Sequence, residues 1–189
     1  MNREDRRVVS REYFSEERLA EHHFRSFNNF LERGMQDVVT EKERIETDIG
    51  DKEGEEPVFV ELGDVRVETP RVREADGSEE LLFPQEARLR NITYAAPVFM
   101  EMSIVRGGED EEEMVVDTTE TKVGRMPIMV GSSKCNIAGL TDEELIEIGE
   151  DPVDPGGYFI VNGSERVLMT SEDLAPNKIL AEYDSKYGD

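Results

Sequence analysis

The sequence of 189 residues contains one cysteine, two histidines and no tryptophan. The single cysteine, Cys135, cannot form an internal disulfide and cannot build a zinc site from cysteines. Two histidines are too few for a histidine-rich metal site. No apolar run approaches the roughly 20 residues that a membrane-spanning helix needs, and the N-terminus lacks the pattern of a signal peptide. We therefore expect a soluble, cytoplasmic chain.

Basic residues are also scarce. The chain has 45 Asp and Glu against 22 Lys and Arg, for a formal net charge of −23. Because so acidic a surface repels phosphates, the surface as a whole should not bind nucleic acid or anionic lipid. An acidic excess with few lysines favours a salt-rich cytosol, where screening weakens the self-repulsion of the chain. The alternative is an ordinary acidic protein with solvated loops.

Two segments depart from this acidic average. Residues 83–100 carry two arginines against one glutamate, and residues 121–141 carry three basic residues and no acidic residue. An average stretch of that second length in this chain would hold about five acids. Either residues 121–141 are buried as a pair of strands, or they face a polyanion or a partner subunit.

The hydrophobic pattern predicts helices at two places. From residue 15 to residue 39 apolar side chains recur at helical spacing, which predicts one long amphipathic helix, bent or interrupted at Gly34. We expect its apolar face to lie in the core. The residues of that face are Leu19, Phe27, Phe30, Leu31, Met35 and Val38. The sequence Thr-Asp-Glu-Glu is typical of a capping box, so a short second helix is predicted over residues 142–149.

From residue 57 onward the pattern changes to short strands. A hairpin is predicted over residues 58–68, with its turn at Gly63 and Asp64. Residues 75–78 are predicted to form a loop tip between two further strands.

Longer extended stretches follow. The stretch over residues 92–104 contains Pro97, which favours a sheet edge or a bulge. The acidic run at residues 109–113 is expected to be a solvated loop tip, since it lacks the ligand spacing of a calcium loop. Residues 114–130 are predicted to form strand, broken at a glycine and a proline.

The clearest hairpin signal lies over residues 158–169, where Asn162 and Gly163 separate two apolar runs. The predicted fold class is α+β, with an N-terminal amphipathic helix packed on a largely antiparallel sheet and a second short helix. Residues 1–47 are expected to be mainly helical, and residues 57–189 mainly sheet.

No sequence motif indicates catalysis. The chain lacks a phosphate-binding loop, a dinucleotide fingerprint, a zinc-protease motif and the turn that presents a serine nucleophile. With 45 acids in the chain, a pair of carboxylates carries no signal of its own. We predict that this chain contains no catalytic residue, no metal site and no cofactor.

Four blocks of the sequence resemble, in the same order, blocks of the second-largest subunit of multisubunit RNA polymerases. They are Phe24–Leu31 (FRSFNNFL), Phe83–Pro97 (FPQEARLRNITYAAP), Val123–Val130 (VGRMPIMV) and Asp154–Leu168 (DPGGYFIVNGSERVL). The resemblance spans most of residues 20–180. The acid-rich composition without tryptophan is similar to the archaeal version in which that subunit is split, and most similar to the N-terminal half, called B″, of a salt-loving archaeon.

This resemblance implies a protrusion-type domain over residues 1–189, on one wall of the DNA cleft, in a fragment without the lobe and later domains. In that family the catalytic aspartates belong to the largest subunit, and further acids near the metals belong to the other half of this subunit. Nucleotidyl transfer in transcription, and its Mg²⁺, would therefore belong to the assembled polymerase. The implied partners are the largest subunit, the remaining part of the second-largest subunit, the DNA template and the RNA–DNA hybrid.

The resemblance also places the NGSER hairpin beside the path of the hybrid. Together with the charge pattern it gives a set of nucleic-acid-facing candidates. They are Arg88, Arg90, Asn91, Arg125, Lys134, Asn162, Arg166, Asn177 and Lys178. Each arginine has two interpretations, a phosphate contact or a salt bridge within the wall. The rival function is an acidic DNA mimic or adaptor protein without catalysis, which would place acids along helical faces throughout the chain.

Overall fold

The computed structural model describes residues 3–16, 20–42, 44–47, 57–107, 114–174 and 176–177. The helices are α1 (Arg3–Glu16), α2 (Glu21–Asn29), a π-turn (Phe30–Gly34), α3 (Met35–Thr40), α4 (Pro84–Leu89) and α5 (Asp142–Glu147). The strands are β1 (Arg44–Glu46), β2 (Val58–Val67), β3 (Arg71–Arg73), β4 (Glu79–Leu81), β5 (Ala95–Arg106), β6 (Met114–Pro127), β7 (Phe159–Val161) and β8 (Ser164–Arg166). None of the described helices is long and apolar enough to cross a membrane.

The strands form an antiparallel sheet and two small ribbons. The four-stranded sheet has the order β1-β2-β5-β6, and β3 pairs with β4 and β7 with β8. Every strand pair is antiparallel. Helix α3 packs on β2. The predicted α+β class with a largely antiparallel sheet is confirmed.

The hairpin predicted over residues 58–68 is wrong. Strand β2 runs straight through Gly63 and Asp64, and its register against β5 shifts between Leu62 and Val65. The side chain of Gln36, on α3, stabilises this bulge: its amide donates to the Gly63 carbonyl at 3.3 Å and its oxygen accepts from the Val65 N–H at 2.9 Å. Gly and Asp suit a bulge as well as a turn, so the pairing of β2 with β5 decides between them.

Pro97 lies in the inner strand β5, so the sheet edge was the wrong alternative and the bulge was the right one. The register between β5 and β6 shifts between Val98 and Phe99, one residue after the proline. On the other side the β2 ladder ends at Val67, and the Pro97 carbonyl accepts from the Glu68 N–H at 3.1 Å. The missing N–H of proline therefore falls where the ladder stops.

The N-terminal helix is interrupted as predicted but is not one helix over residues 15–39. Helix α2 begins at Glu21, and a separate helix, α1, ends at Glu16. The five-residue π-turn ends at Gly34, where a Cβ atom would lie 2.9 Å from the Phe30 ring. A side chain at this position would displace that ring, so the glycine permits the wide turn.

The inward face of this helical region differs in part from the predicted one. Phe24 and Val39 are buried, whereas Phe30 and Val38 are exposed. Three predicted residues pack partly buried against the core, as expected, and these are Phe27, Leu31 and Met35. The inward positions from residue 27 to residue 39 recur in steps of four, which the π-turn allows and a regular helix does not sustain. Leu19 lies outside the described residues.

The remaining local predictions are mostly confirmed. A loop at residues 75–78 joins β3 to β4, and Thr141 caps α5 through a capping box with Glu144. Helix α5 lies at the surface, however, and its aliphatic residues are at most half-buried. Strand β6 runs unbroken through Gly124, so the predicted break there is wrong, and it ends at Pro127, where a break was also predicted. The acidic run at residues 109–113 lies outside the described residues.

Burial in the core accounts for the lack of acids in one part of residues 121–141. Ile128 and Val130 are buried in the main cluster, which also contains Tyr94 and Ile160, whereas residues 121–125 are exposed on β6. Burial therefore accounts for residues 128–130, which lie outside the strands and do not form the predicted buried strand pair. A surface that faces a polyanion or a partner subunit stays a prediction for the exposed residues 121–125. Burial and the contact with Cys135 raise the pKa of Tyr94, so its hydroxyl stays protonated in the core.

The excess of carboxylates predicts stabilisation by salt. Raising KCl from 0.1 M to 1 M shortens the screening length from about 10 Å to about 3 Å and weakens the repulsion among carboxylates. We expect the melting temperature of the chain, followed by circular dichroism, to rise by several degrees over this range. A melting temperature that does not change with KCl would contradict adaptation to a saline cytosol.

Candidate nucleic-acid interface

The predicted Asn-Gly hairpin is present. Strands β7 and β8 pair antiparallel, with Phe159 opposite Arg166 and Val161 opposite Ser164. Both loop residues have positive φ, 50° at Asn162 and 74° at Gly163. Such a two-residue loop has the twist that matches its strands, so the sequence itself determines the position of Arg166.

Hydrogen bonds along one side of the hairpin join it to residues 92–94. The Tyr94 N–H donates to the Ile160 carbonyl at 3.0 Å. The Thr93 hydroxyl accepts from the Asn162 N–H at 3.1 Å and donates to the side-chain oxygen of Asn162 at 3.2 Å. These bonds join the hairpin to the segment that leads into β5, and they hold it in one orientation relative to the core.

The hairpin tip also rests on the end of α4. A Cβ atom at Gly163 would lie 2.8 Å from Cα of Asn91 and 3.1 Å from the Arg88 carbonyl oxygen. Asn91 itself has a φ of 53°, in the left-handed region that asparagine tolerates. Only a glycine lets the two backbones come this close.

Arg88 lies at the centre of an ion-pair cluster beneath the hairpin. Its guanidinium lies 2.9 Å from Glu165, 3.2 Å from Glu150 and 3.6 Å from Asp154, measured between nitrogen and carboxylate oxygen. It also donates to the Tyr158 hydroxyl, which donates in turn to Asp154. Glu150 and Asp154 come from the loop after α5 and Glu165 from β8, so this side chain joins α4 to both of those segments.

Two side chains of this cluster have shifted pKa values, and these are Arg88 and Tyr158. Burial by itself lowers the pKa of Arg88, but Tyr158 and Glu150 outweigh burial, and the pKa is raised. Burial and the hydrogen bond to Asp154 raise the pKa of Tyr158. Arg88 is therefore charged and Tyr158 neutral over the whole range of ordinary pH.

Arg90 also pairs with carboxylates but lies nearer the solvent. Its guanidinium is 2.6 Å from Glu74 and 2.7 Å from Glu86, and its side chain is 38% exposed. The hydrogen bonds that Arg90 donates to Glu74 and Glu86 raise its pKa. Arg88 and Arg90 are thus brought together with acids by the fold.

Three other basic candidates have no acidic partner among the described residues. No described carboxylate lies within 4 Å of Arg125, Lys134 or Arg166. Arg166 is exposed on β8, and Lys134 is half-buried. Asn177 occupies an exposed turn with a φ of 60°, and Lys178 lies outside the described residues.

Sequence reasoning missed several polar residues that shape this region. Glu150 is buried and accepts from the Gln85 N–H at 2.6 Å in addition to its pair with Arg88. Arg73, on β3, shares a cavity with Arg125. Glu150 carried no signal in the sequence, whereas Arg73 is a basic residue within an acidic stretch.

Comparison with known proteins gives consistent matches over the chain. Residues 18–182 match the family model described as RNA polymerase beta subunit. The whole chain is 86% identical to DNA-directed RNA polymerase subunit Rpo2N of Halobacterium salinarum (strain ATCC 29341 / DSM 671 / R1). It is 45% identical over 179 residues, 93% of the chain, to subunit Rpo2N of Methanocaldococcus jannaschii. Subunit Rpo2 of Saccharolobus shibatae is 44% identical over 179 residues, 95% of the chain.

The chain is shorter than each of these relatives. It covers 36% of the Halobacterium protein, 34% of the Methanocaldococcus protein and 15% of the Saccharolobus protein. It therefore spans about a third of the length of the Rpo2N relatives that it matches.

Proposed function

The chain belongs to the RNA polymerase beta subunit family, and from this membership we propose that it is the N-terminal part of the second-largest subunit of an archaeal DNA-directed RNA polymerase. The observation that carries the proposal is the 86% identity, over all 189 residues, to a subunit named for that enzyme. Its partners would be the largest subunit and the remainder of its own subunit, in the cytoplasm of a halophile. The alternative of an acidic DNA mimic is not favoured by this membership.

Within the polymerase we propose that residues 1–189 form the N-terminal part of the protrusion, a wall of the cleft that holds the DNA template and the RNA–DNA hybrid. The hairpin β7–β8 supports this role because it presents an exposed arginine from a rigid loop. A rigid element positions a phosphate contact better than a flexible loop does. The contact would be to the backbone and therefore independent of sequence.

The candidate residues would then divide between two roles. Arg88 and Arg90 would hold the wall together through their ion pairs, since their charge is already compensated. Arg125, Lys134 and Arg166 would supply the charge that faces nucleic acid. The amide side chains of the set would give neutral contacts, and these are Asn91, Asn162 and Asn177. Lys178 stays a candidate from the sequence.

Catalysis would belong to the assembled enzyme. Among the described residues, no group of three or more His, Cys, Asp or Glu side chains could hold a metal ion. We propose that this chain contributes no catalytic residue and no metal ligand, and that the ion is held elsewhere in the polymerase.

The role of Arg166 can be tested in the assembled polymerase. With Arg166→Ala we expect the lifetime of a stalled elongation complex to fall about tenfold, which corresponds to about 1.4 kcal/mol for one charged contact. The fall should be similar for different template sequences, because a phosphate contact does not read the bases. The slope of log lifetime against log salt concentration should become shallower by about one, because one phosphate contact is lost.

A matched control is Arg106→Ala, which removes the same charge from the far end of β5. Arg106 is eleven residues from Ala95, or about 35 Å along the strand. We expect this variant to behave as the wild type. An unchanged lifetime for Arg166→Ala, together with a lowered melting temperature, would assign Arg166 to the structure of the sheet and remove it from the interface.

A further inference from the structure

A basic cavity lies next to the hairpin, between the ribbon β3–β4 and the end of β6. Its volume is about 360 Å³, and two arginines line it, Arg73 from β3 and Arg125 from β6. The remaining lining includes Thr93 and the apolar residues Ile92 and Pro127. No acidic residue lines the cavity, although acids make up 45 of the 189 residues of the chain. This local excess of positive charge requires an explanation.

The fold fixes Arg125 in place without neutralising it. Its Nη2 atom donates to two backbone carbonyls, that of Arg71 at 2.7 Å and that of Ala95 at 3.0 Å. These carbonyls carry no net charge, so the guanidinium keeps its full positive charge. A guanidinium has five N–H groups, so up to three donors on Nε and Nη1 remain for a ligand. Among the described residues they have no hydrogen-bond partner.

The acids closest to Arg73 in sequence are engaged elsewhere. Glu74 pairs with Arg90 at 2.6 Å, and the carboxylate of Asp76 accepts from the N–H and the hydroxyl of Ser78. Glu79 lies opposite Arg73 in the strand register, but among the described residues no carboxylate lies within 4 Å of Arg73. Both arginines that line the cavity are therefore without a carboxylate within 4 Å among the described residues.

Thr93 connects the cavity to the hairpin. Its hydroxyl is already committed to Asn162, as donor to the side chain and as acceptor from the backbone. It is therefore part of the wall and not a free donor to a ligand. A ligand in the cavity would lie beside the same hairpin that presents Arg166.

We propose that this cavity binds a phosphate group of a nucleic-acid backbone, with Arg73 and Arg125 as its two ligands. The proposal rests on the proposed function, because a backbone phosphate is the anion that a cleft wall meets. A planar guanidinium fork matches the oxygens of a phosphate and can donate two parallel hydrogen bonds to them. Two cations around one singly charged diester would also offset the repulsion from the acidic surface elsewhere.

The test uses the assembled polymerase on a scaffold in which single phosphates are replaced by uncharged methylphosphonates. With the wild type we expect one linkage whose replacement shortens the elongation-complex lifetime about fivefold. With Arg73→Gln the same replacement should have less than a 1.5-fold effect, because the contact is already lost. Arg73→Lys should retain part of the coupling, and Arg106→Gln should match the wild type.

Several results would overturn the proposal. If no linkage couples to Arg73 while Arg166→Ala still shortens the lifetime, the phosphate site in the cavity is rejected and the proposed function stands. Saturable binding of radiolabelled inorganic phosphate that Arg73→Gln abolishes, with no coupled linkage, would identify a free-phosphate site. Loss of a polymerase subunit on purification of Arg73→Gln would show that the cavity receives an acidic protein segment. Failure of both Arg73 and Arg166 to affect the lifetime would reject the proposed function as well.

Discussion

Arg88→Met is expected to lower the free energy of unfolding of the chain by about 3 kcal/mol, because removing one partner of a buried pair leaves the other charge uncompensated. The side chain of Glu150 is only 4% exposed, and that of Arg88 is 20% exposed. Methionine keeps much of the volume but none of the five donors. The carboxylates of Glu150, Asp154 and Glu165 would then repel one another across the space that Arg88 had filled. Urea unfolding at constant KCl measures the loss.

The matched control is Arg90→Met, two residues further along the chain. Arg90 has two carboxylate partners where Arg88 has three, and its side chain is 38% exposed against 20% for Arg88. Exposed pairs contribute about 0–1 kcal/mol, so this variant should lose less than about 1 kcal/mol. Equal losses for the two variants would show that burial of Glu150 does not determine the strength of the cluster.

Gly163→Ala is expected to cost about 3 kcal/mol or more. A φ of 74° strains any residue with a Cβ atom by about 1–2 kcal/mol. In addition, that atom would lie 2.8 Å from Cα of Asn91, which is backbone and cannot rotate away. The hairpin would have to move off α4, and Arg166, which lies on its strand β8, would lose its position. Thermal unfolding of the variant gives the total cost.

Gly139→Ala separates the two contributions. Gly139 has a similar φ, 83°, but a Cβ atom there would meet nothing within 4 Å. This variant should therefore show the backbone strain alone, about 1 kcal/mol. If Gly163→Ala cost no more than Gly139→Ala, the close approach to Asn91 would contribute nothing to stability.

The local structure was predictable where a short signal determines the backbone. Asn162 and Gly163 specified their hairpin because few residues tolerate positive φ at both loop positions. The capping box at Thr141 likewise specified where α5 begins. The turn predicted at Gly63 and Asp64 was wrong because a bulge and a turn favour the same residues. Contacts with β5 and Gln36, which are distant in sequence, decide between the two.

The roles of the candidate site residues also depend on contacts that are distant in sequence. The charge pattern identified Arg88 but could not determine its role, since its acidic partners lie 62 to 77 residues away in sequence. Arg73 escaped notice because residues 48–82 are strongly acidic on average. Only the folded chain shows that Glu74 pairs with Arg90 and that Arg73 lines the same cavity as Arg125.

The central claim, that the hairpin faces nucleic acid, is tested most directly by photo-crosslinking in the assembled polymerase. A benzophenone amino acid would replace Arg166, and a control would replace Val116, which lies about 35 Å along β6 from Pro127. Pro127 and Arg166 line the same groove, so Val116 is far from the proposed path. On a labelled RNA–DNA scaffold, we predict a crosslink from residue 166 and none from residue 116. An elongation complex that forms normally but gives no crosslink from residue 166 would contradict the account.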